Sequence, residues 1–338
     1  MKILIDISHP AHWNFFKNAI TEMRNRGYEV ILTVLRRGRL PEIIKREYSG
    51  EIKLCGKYKS SKLSIIFQAN ILKFIEQLIY IHNKNINVAV SCGGFVTGAI
   101  FKFILRKPNI QFDDDPERKI NLFLEKITSS MIFFPPIIKA QKKISIMNAL
   151  KEWAYLSPKY FKPDLDILQE YNVEAQKYIF IREVSNISFN YYKQENNTIA
   201  NIAHLFPREY KVIISLEDKS TINQYPPDWI LLNEPVGDIH SLMYFSKMLI
   251  SSGDSMAREG AMLGVPSIYC GVRKMAANDL LIEKGLLYHI ALNEVAHHLN
   301  EVINSENFKQ EEYREQLKKD WIDVSEFIIN KIEDFTKG

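Results

Sequence analysis

Two rhythms alternate along the chain. Short, nearly continuous apolar runs occupy residues 2–7, 28–34, 52–55 and 88–91, and between them apolar residues recur every three or four positions over 12–26, 41–48 and 62–82. The runs predict strands covered on both faces; the periodic stretches predict amphipathic helices. Further strands are predicted at 110–112 and 131–134 around a helix over 119–130, after which Pro135-Pro136 stops the pattern and the basic stretch 139–143 is expected on the surface. Such alternation builds a parallel sheet with helices on both faces, and ligands bind these sheets at the carboxyl ends of the strands. The helix at 62–82 is apolar over a broad arc that includes Ile66, Phe67, Ile71, Phe74, Ile75 and Leu78. Burial between sheet and linker is expected for it, and its basic neighbours Lys59, Lys62 and Lys73 leave membrane docking as the alternative.

The pattern resumes near residue 163, with strands predicted at 178–181, 211–215 and 229–231 and a helix at 198–205. Residues 248–271 organise this half. Met248-Leu249-Ile250 stops at Ser251-Ser252-Gly253-Asp254-Ser255, and small or apolar residues return at Met256, Ala257, Gly260, Ala261 and Leu263. The spacing predicts a buried strand, a tight turn, a helix with Asp254 or Ser255 as N-cap, and a second strand over 266–270. A helix that starts at such a turn turns unpaired N–H groups and the positive end of its dipole outward, where an anion such as a diphosphate binds. Asp238 starts the preceding helix with His240 in its first turn, and Arg273 or Lys274, just past the second strand, is placed to meet a phosphate. A helix is expected over 278–284, ended by Gly285, and one charged amphipathic helix from Phe308, with Trp321, Phe327 and Ile328 on its apolar side.

Polar residues at predicted strand ends supply the candidate chemistry. His9 and His12 follow the first strand, and a neutral imidazole at His9 can take a proton from an attacking hydroxyl. Gly93-Gly94 lets the backbone approach a ligand closely. Asp113-Asp114-Asp115-Pro116-Glu117 crowds four carboxylates into five residues, which suits a divalent cation or a general base whose pKa like charges have raised. Arg182, at the head of Arg182-Glu183-Val184-Ser185-Asn186, can hold a phosphate in bidentate fashion.

Some of these segments resemble known families. Ser252 to Pro266 is similar to the nucleotide-sugar signature of GT-B enzymes, both the N-acetylglucosaminyltransferase that makes lipid II and the UDP-N-acetylglucosamine 2-epimerases. That resemblance implies that Gly253, Asp254 and Ser255 face the donor diphosphate and that Glu259 holds the ribose. Ser91 to Gly98 resembles the G-G-Y-V-S-G stretch of the same transferase. Pro116, Glu117 and Asn121 match part of the epimerase P-E-x-x-N-R pattern, yet no Arg follows Asn121 and no His precedes Arg182. Over nearly the whole chain, from Asp6-to-His12 through Lys151-to-Leu156 to Gly253-to-Glu259, the sequence closely resembles the GT-B-like family DUF354, which has no settled activity. The fold implied is α/β: two doubly wound, Rossmann-type domains facing a cleft.

Length and charge refine this picture. At 338 residues the chain suits two domains, here 1–155 on the acceptor side and 156–310 on the donor side, with a helix over 311–338 crossing back to the first. The formal charge of +4 implies no nucleic-acid partner. Cys55, Cys92 and Cys270 lack metal-ligand spacing, so reduced, buried thiols in a cytoplasmic setting are expected, and no run approaches the ~20 apolar residues of a membrane span.

The expected activity is a metal-independent transfer from a nucleotide sugar, UDP-linked by preference, to a glycan or lipid-linked acceptor in cell-surface glycan assembly, with peripheral membrane contact in reach and no further cofactor. His9, with Asp113 or Asp115 as the other candidate, would deprotonate the acceptor. Donor contacts fall on Gly93, Gly94, Arg182, Ser252, Gly253, Asp254, Ser255, Met256, Glu259 and Arg273. A UDP-N-acetylhexosamine 2-epimerase using carboxylates near Asp115 and Glu117 is the alternative, and a non-catalytic nucleotide-sugar-binding protein the third.

Overall fold

The computed structural model describes residues 1–59, 61, 64–185, 194, 197–233, 236–304 and 309–337. The chain forms two compact units, Met1–Tyr155 with Trp321–Gly338, and Leu156–Asp320. The first is built on strands β1 (Lys2–Ile7), β2 (Glu29–Arg36), β3 (Glu51–Lys57), β4 (Val88–Cys92), β5 (Asn109–Phe112), β6 (Met131–Phe134) and β7 (Ile144–Ile146). They lie in the order β3-β2-β1-β4-β5-β6-β7, all pairs parallel. The order reverses between β1 and β4, as in a doubly wound sheet. The edge strand β7 was not expected; it follows directly on the basic stretch read as surface.

Helices α1 (Pro10–Asn25), α2 (Leu40–Glu47), α3 (Lys73–Ile81), α4 (Phe95–Ala99) and α5 (Lys119–Thr128) connect these strands. Wide π-helical turns at Ile65–Leu72 lead into α3, and others at Ile100–Leu105 continue α4. In β1, Ile3, Leu4, Ile5 and Ile7 are completely buried, each contributing about 1.5–3 kcal/mol. A polar chain crosses this core. Lys73 Nζ donates to Asp6 at 2.6 Å, Thr33 to the other oxygen of Asp6 at 2.9 Å, Gln77 to Thr33, and Thr97 to Gln77. A buried ion pair is weak evidence for stability, but losing one partner strands the other charge, so this chain fixes how α3 lies on β1.

The second unit holds β8 (Tyr178–Glu183), β9 (Lys211–Leu216), β10 (Ile230–Leu231), β11 (Met248–Ser251), β12 (Ser267–Tyr269) and β13 (Leu287–His289), ordered β10-β9-β8-β11-β12-β13 and again parallel. Here the reversal falls between β8 and β11. Its helices include α6 (Ile239–Tyr244), α7 (Asp254–Met262), α8 (Ala276–Glu283) and α9 (Val295–Asn304).

The terminal segment differs from the single helix expected from Phe308, a residue outside those described. Helix α10 (Gln310–Asp320) stays with the second unit and buries Arg314 and Leu317. The helix α11 (Val324–Lys337) begins after a break at 321–323, where Asp323 Oδ1 accepts the Glu326 N–H at 3.2 Å. It belongs to the first unit. Phe327 lies 5.1 Å from Phe133, Trp321 lies 5.5 Å from Trp153, and Ile328, Ile329 and Ile332 are fully buried. The segment that returns to the first unit therefore begins at Trp321, ten residues later than expected, because Arg314 and Leu317 already belong to another core.

Candidate functional site

The carboxyl ends of the strands at each reversal carry most of the expected residues. In the second unit, the turn leaving β11 uses up its own first donors. The Ser252 N–H donates to the Arg182 carbonyl at 2.9 Å, the Gly253 N–H to Ser251 Oγ at 3.0 Å, and Ser252 Oγ accepts the Val184 N–H at 2.9 Å. Ser252 is fully buried and thus ties β8 to β11 instead of presenting a ligand contact. The N-cap is Gly253, in extended conformation, not Asp254 or Ser255; Asp254 already lies inside the helix, and the cap residue itself has no side chain to close the first turn. The N–H groups of Asp254, Ser255 and Met256 are those an α-helix leaves without an internal acceptor, so they form its positive mouth.

The buried Asp254 carboxylate accepts from Arg273 Nη1 at 3.1 Å and from the Ser255 hydroxyl at 3.2 Å. Arg182 donates from Nη1 to Ser215 Oγ at 2.8 Å. Glu259, half-buried, lies 3.6 Å from His240 Nε2, whose ring meets Phe161 edge-on. Beside Arg182, Glu183 is buried and accepts from the Ile199 N–H, Thr198 and Tyr225, so burial raises its pKa while those donors oppose the rise. Asn186, the last residue of that predicted box, lies outside the described residues.

In the first unit the acidic run separates into three environments. Asp114 pairs with Lys151 at 2.6 Å, and Asp115 lies 3.4 Å from Arg118. Asp113 Oδ1 accepts the N–H groups of Asp114 and Asp115, while its buried Oδ2 meets no donor among the described residues. The carboxyl of Asp113 faces that of Glu125, a residue of α5. Glu125 is completely buried, and no donor among the described residues reaches either of its oxygens.

Burial, then the neighbouring Asp113 charge, raises the Glu125 pKa to about 9; burial, opposed by Arg118, raises that of Asp113 to about 6. Two carboxyls in contact must share a proton, and Glu125 keeps it. Gly93 adjoins the pair: a Cβ there would lie 3.5 Å from Glu125 Oε1 and 3.4 Å from Arg118, and its φ of +59° is one that suits glycine. Gly94 abuts Ser91 and Asp6. Glu117 is exposed, unlike Asp113 and Asp115. Among the described residues no three His, Cys, Asp or Glu side chains gather into a metal-binding group.

His9 has chemistry opposite to that expected. It caps α1, its Nδ1 accepting the Ala11 N–H at 3.1 Å, and burial together with Arg37 and Lys151 lowers its pKa to about 3. A neutral imidazole whose Nδ1 is an acceptor carries its proton on Nε2. His9 is therefore a hydrogen-bond donor at neutral pH and has no nitrogen left to act as a base. His12 is also held neutral by burial.

Two residues escaped sequence reasoning. One is Glu125, in a helix whose periodicity shows two faces without saying which is inward. The other is Arg258, fully buried and donating to Asn278 at 3.0 Å, which pins α7 to α8. Its four-residue spacing from Asp254 and three-residue spacing to Ala261 was the available signal.

Comparison with known proteins gives the same architecture. The spinosyn forosaminyltransferase SpnP matches with a TM-score of 0.72 at 10% identity, covering 100% of both chains. The S. aureus MnaA–UDP co-structure matches at 0.72 and 14% identity, covering 99% of this chain and 97% of that one. A UDP-N-acetylglucosamine 2-epimerase from Rickettsia bellii matches at 0.72 and 12%, covering 100% and 97%. At such identities the likeness is one of fold: two Rossmann-like α/β units of the GT-B kind. An uncharacterized protein of Methanocaldococcus jannaschii is 23% identical over 329 residues, 86% of this chain and 87% of that protein. The family described as protein of unknown function DUF354 matches residues 1–337, and the chain belongs to it.

Proposed function

We propose that the chain is a nucleotide-sugar-dependent glycosyltransferase, with a UDP-sugar donor held by the second unit and a glycan or lipid-linked acceptor activated by the first. The observation that carries the reading is the N-terminal mouth of α7, which starts at Gly253 directly after β11, at a strand reversal, with Arg273 bonded to Asp254 in its first turn. Three backbone N–H groups, the helix dipole and a guanidinium suit the charge that develops on a departing diphosphate, without a metal. In the transfer step the acceptor oxygen bonds to the sugar C1, the C1–O bond to the diphosphate breaks with its electron pair on the phosphate, and the hydroxyl proton passes to Asp113. With a pKa of about 6, Asp113 is mostly ionised at neutral pH and still basic enough to take that proton. His9 Nε2–H orients an oxygen by donation. Glu259 holds the ribose. Cys55, Cys92 and Cys270 are free thiols, which suits a cytoplasmic site of action in cell-surface glycan assembly.

The test is a thermal-shift screen with UDP-, GDP-, CMP- and dTDP-sugars, because a ligand at a hundredfold its Kd adds about 2.7 kcal/mol. A UDP-sugar is expected to raise the Tm, and Glu259→Ala to lose that response while unfolding unchanged without ligand. No response to any nucleotide sugar would end the proposal.

One observation favours a second reading. The carboxyls of Asp113 and Glu125 face one another, and burial favours the protonated form of Glu125, so the pair offers the base and the acid that hydrogen exchange at the sugar C2 requires of a 2-epimerase. Solvent deuterium appearing at C2 decides for epimerisation; donor consumption that depends on an acceptor, with no deuterium at C2, decides for transfer.

A further inference from the structure

Three neighbouring helical stretches of the first unit are turned inside out. Along Ile65–Ile81, Phe67, Ile71, Ile75 and Ile79 follow at four-residue steps and all are exposed, Ile79 to 74%, while Lys73 and Gln77 are buried. Helix α5 repeats the arrangement: Ile120, Phe123 and Ile127 are exposed, Ile120 to 78%, while Glu125 and Thr128 are buried. Between them, Phe103 and Ile104 are exposed at the end of the stretch that continues α4. The helices α3, α4 and α5 pack in sequence, and Lys102 Nζ donates to the carbonyls of Ile127 and Ser129, so the three apolar stripes belong to one layer. The burial expected for the first of these helices is therefore corrected. Its inward face is the one that meets Asp6 and Thr33, so its apolar face is left outside.

Isolated exposed apolar residues are ordinary, but a set repeated on three adjacent helices marks an interaction surface. Charge selects the occupant. These stretches and the turn after Leu105 carry Lys102, Arg106, Lys107, Lys119 and Lys126. Their two acids are Glu125, which is buried, and Glu76, which is held by Arg36 at 2.8 Å. A two-fold dimer through this patch would set those cations against their own copies. A bilayer with anionic headgroups instead takes the apolar stripes into its interfacial zone and the ammonium groups at its phosphates. We propose that this helical layer docks the protein onto an anionic phospholipid bilayer. The proposal does not depend on the transfer chemistry.

The test is co-sedimentation of the full chain with vesicles of phosphatidylcholine alone and of phosphatidylcholine mixed with phosphatidylglycerol. Binding is expected to the mixed vesicles, weakening with added salt, and little to phosphatidylcholine alone. The double variants Phe67→Ser/Phe123→Ser and Lys119→Glu/Lys126→Glu alter exposed or half-buried positions, so each is expected to keep its Tm and to lower partitioning by about tenfold or more. Absence of binding to mixed vesicles at low salt overturns the proposal. So does binding that neither pair of substitutions weakens, or a vesicle-free dimer that Ile120→Asp dissociates.

Discussion

Apart from the additional edge strand β7 of the first, the two sheets share one strand order and reverse at equivalent places, yet the residues at the strand ends on or beside the two reversals do opposite electrostatic work. In the second unit the ends of β8 and β11 lead to a helix mouth, and the nearby glutamate, Glu183, is surrounded by donors. In the first unit the end of β5, one strand beyond the reversal, carries the carboxyl groups of Asp113 to Asp115, and the buried glutamate, Glu125, meets another carboxyl and no donor among the described residues. One topology thus carries an anion-attracting site and a proton-holding site, because topology fixes where the strand ends lie and the side chains decide what happens there.

The largest effect should come from breaking the proton-holding side alone. Asp113→Asn is expected to lower kcat by about 10²–10⁴-fold, the usual range for a lost general base, and to leave the donor-induced thermal shift intact. If the donor response disappears with the activity, the division between the two units is wrong. A smaller effect is expected on the anion-attracting side. Arg273→Ala removes a charge-assisted contact and should weaken donor binding about 10–100-fold by titration calorimetry. Asp254→Asn frees the same guanidinium from its present partner, so donor should bind no more weakly than to wild type. Equal losses in both variants would make the Arg273–Asp254 pair a structural strut.

The contrast also shows what the sequence could convey. The strands were legible because a parallel sheet covered on both faces leaves uninterrupted apolar runs such as Ile3–Leu4–Ile5 and Met248–Leu249–Ile250. The turn after β11 was legible too, but its register was not. Asp254 is a good cap in isolation, but the helix starts one residue earlier, at Gly253, and the Asp254 carboxylate is engaged by Arg273, nineteen residues on. Periodicity reported that the helices at 65–81 and 119–128 have two faces without saying which is inward. Buried Asp6 and Thr33 decide that for the first, and the buried carboxyl of Asp113 stands against Glu125 in the second. The run 113–117 read as one acidic cluster, whereas Lys151, Arg118 and Glu125, all distant or unremarked in the sequence, divide it into separate parts.

The smallest effect is also the most direct comparison of the two buried glutamates. The Glu125 carboxyl, with an ordinary pKa of 4.5 in the unfolded chain, titrates at about 9 when folded. Below pH 4.5 both states hold the proton; between 4.5 and 9 only the folded state keeps it, so its stabilising contribution falls steadily as pH rises and is lost by about pH 9. Asp113 adds to the decline only up to about pH 6. His9 acts in the reverse direction: held at about 3 against an ordinary 6.5, it costs stability as pH falls through that interval. Glu125→Gln should therefore flatten the alkaline limb between pH 6 and 9 and raise the Tm at pH 8 by a few degrees, since about 1 kcal/mol moves a domain of this size by about 2–4 °C. Glu183→Gln should do the opposite. Its amide cannot accept every bond now made by Ile199, Thr198 and Tyr225, and a buried donor left without a partner costs about 1–3 kcal/mol. Thermal melts of the two variants across pH 5–9 compare the sites directly, and a loss of Tm in both would mean that Glu125, too, is held by hydrogen-bond donors.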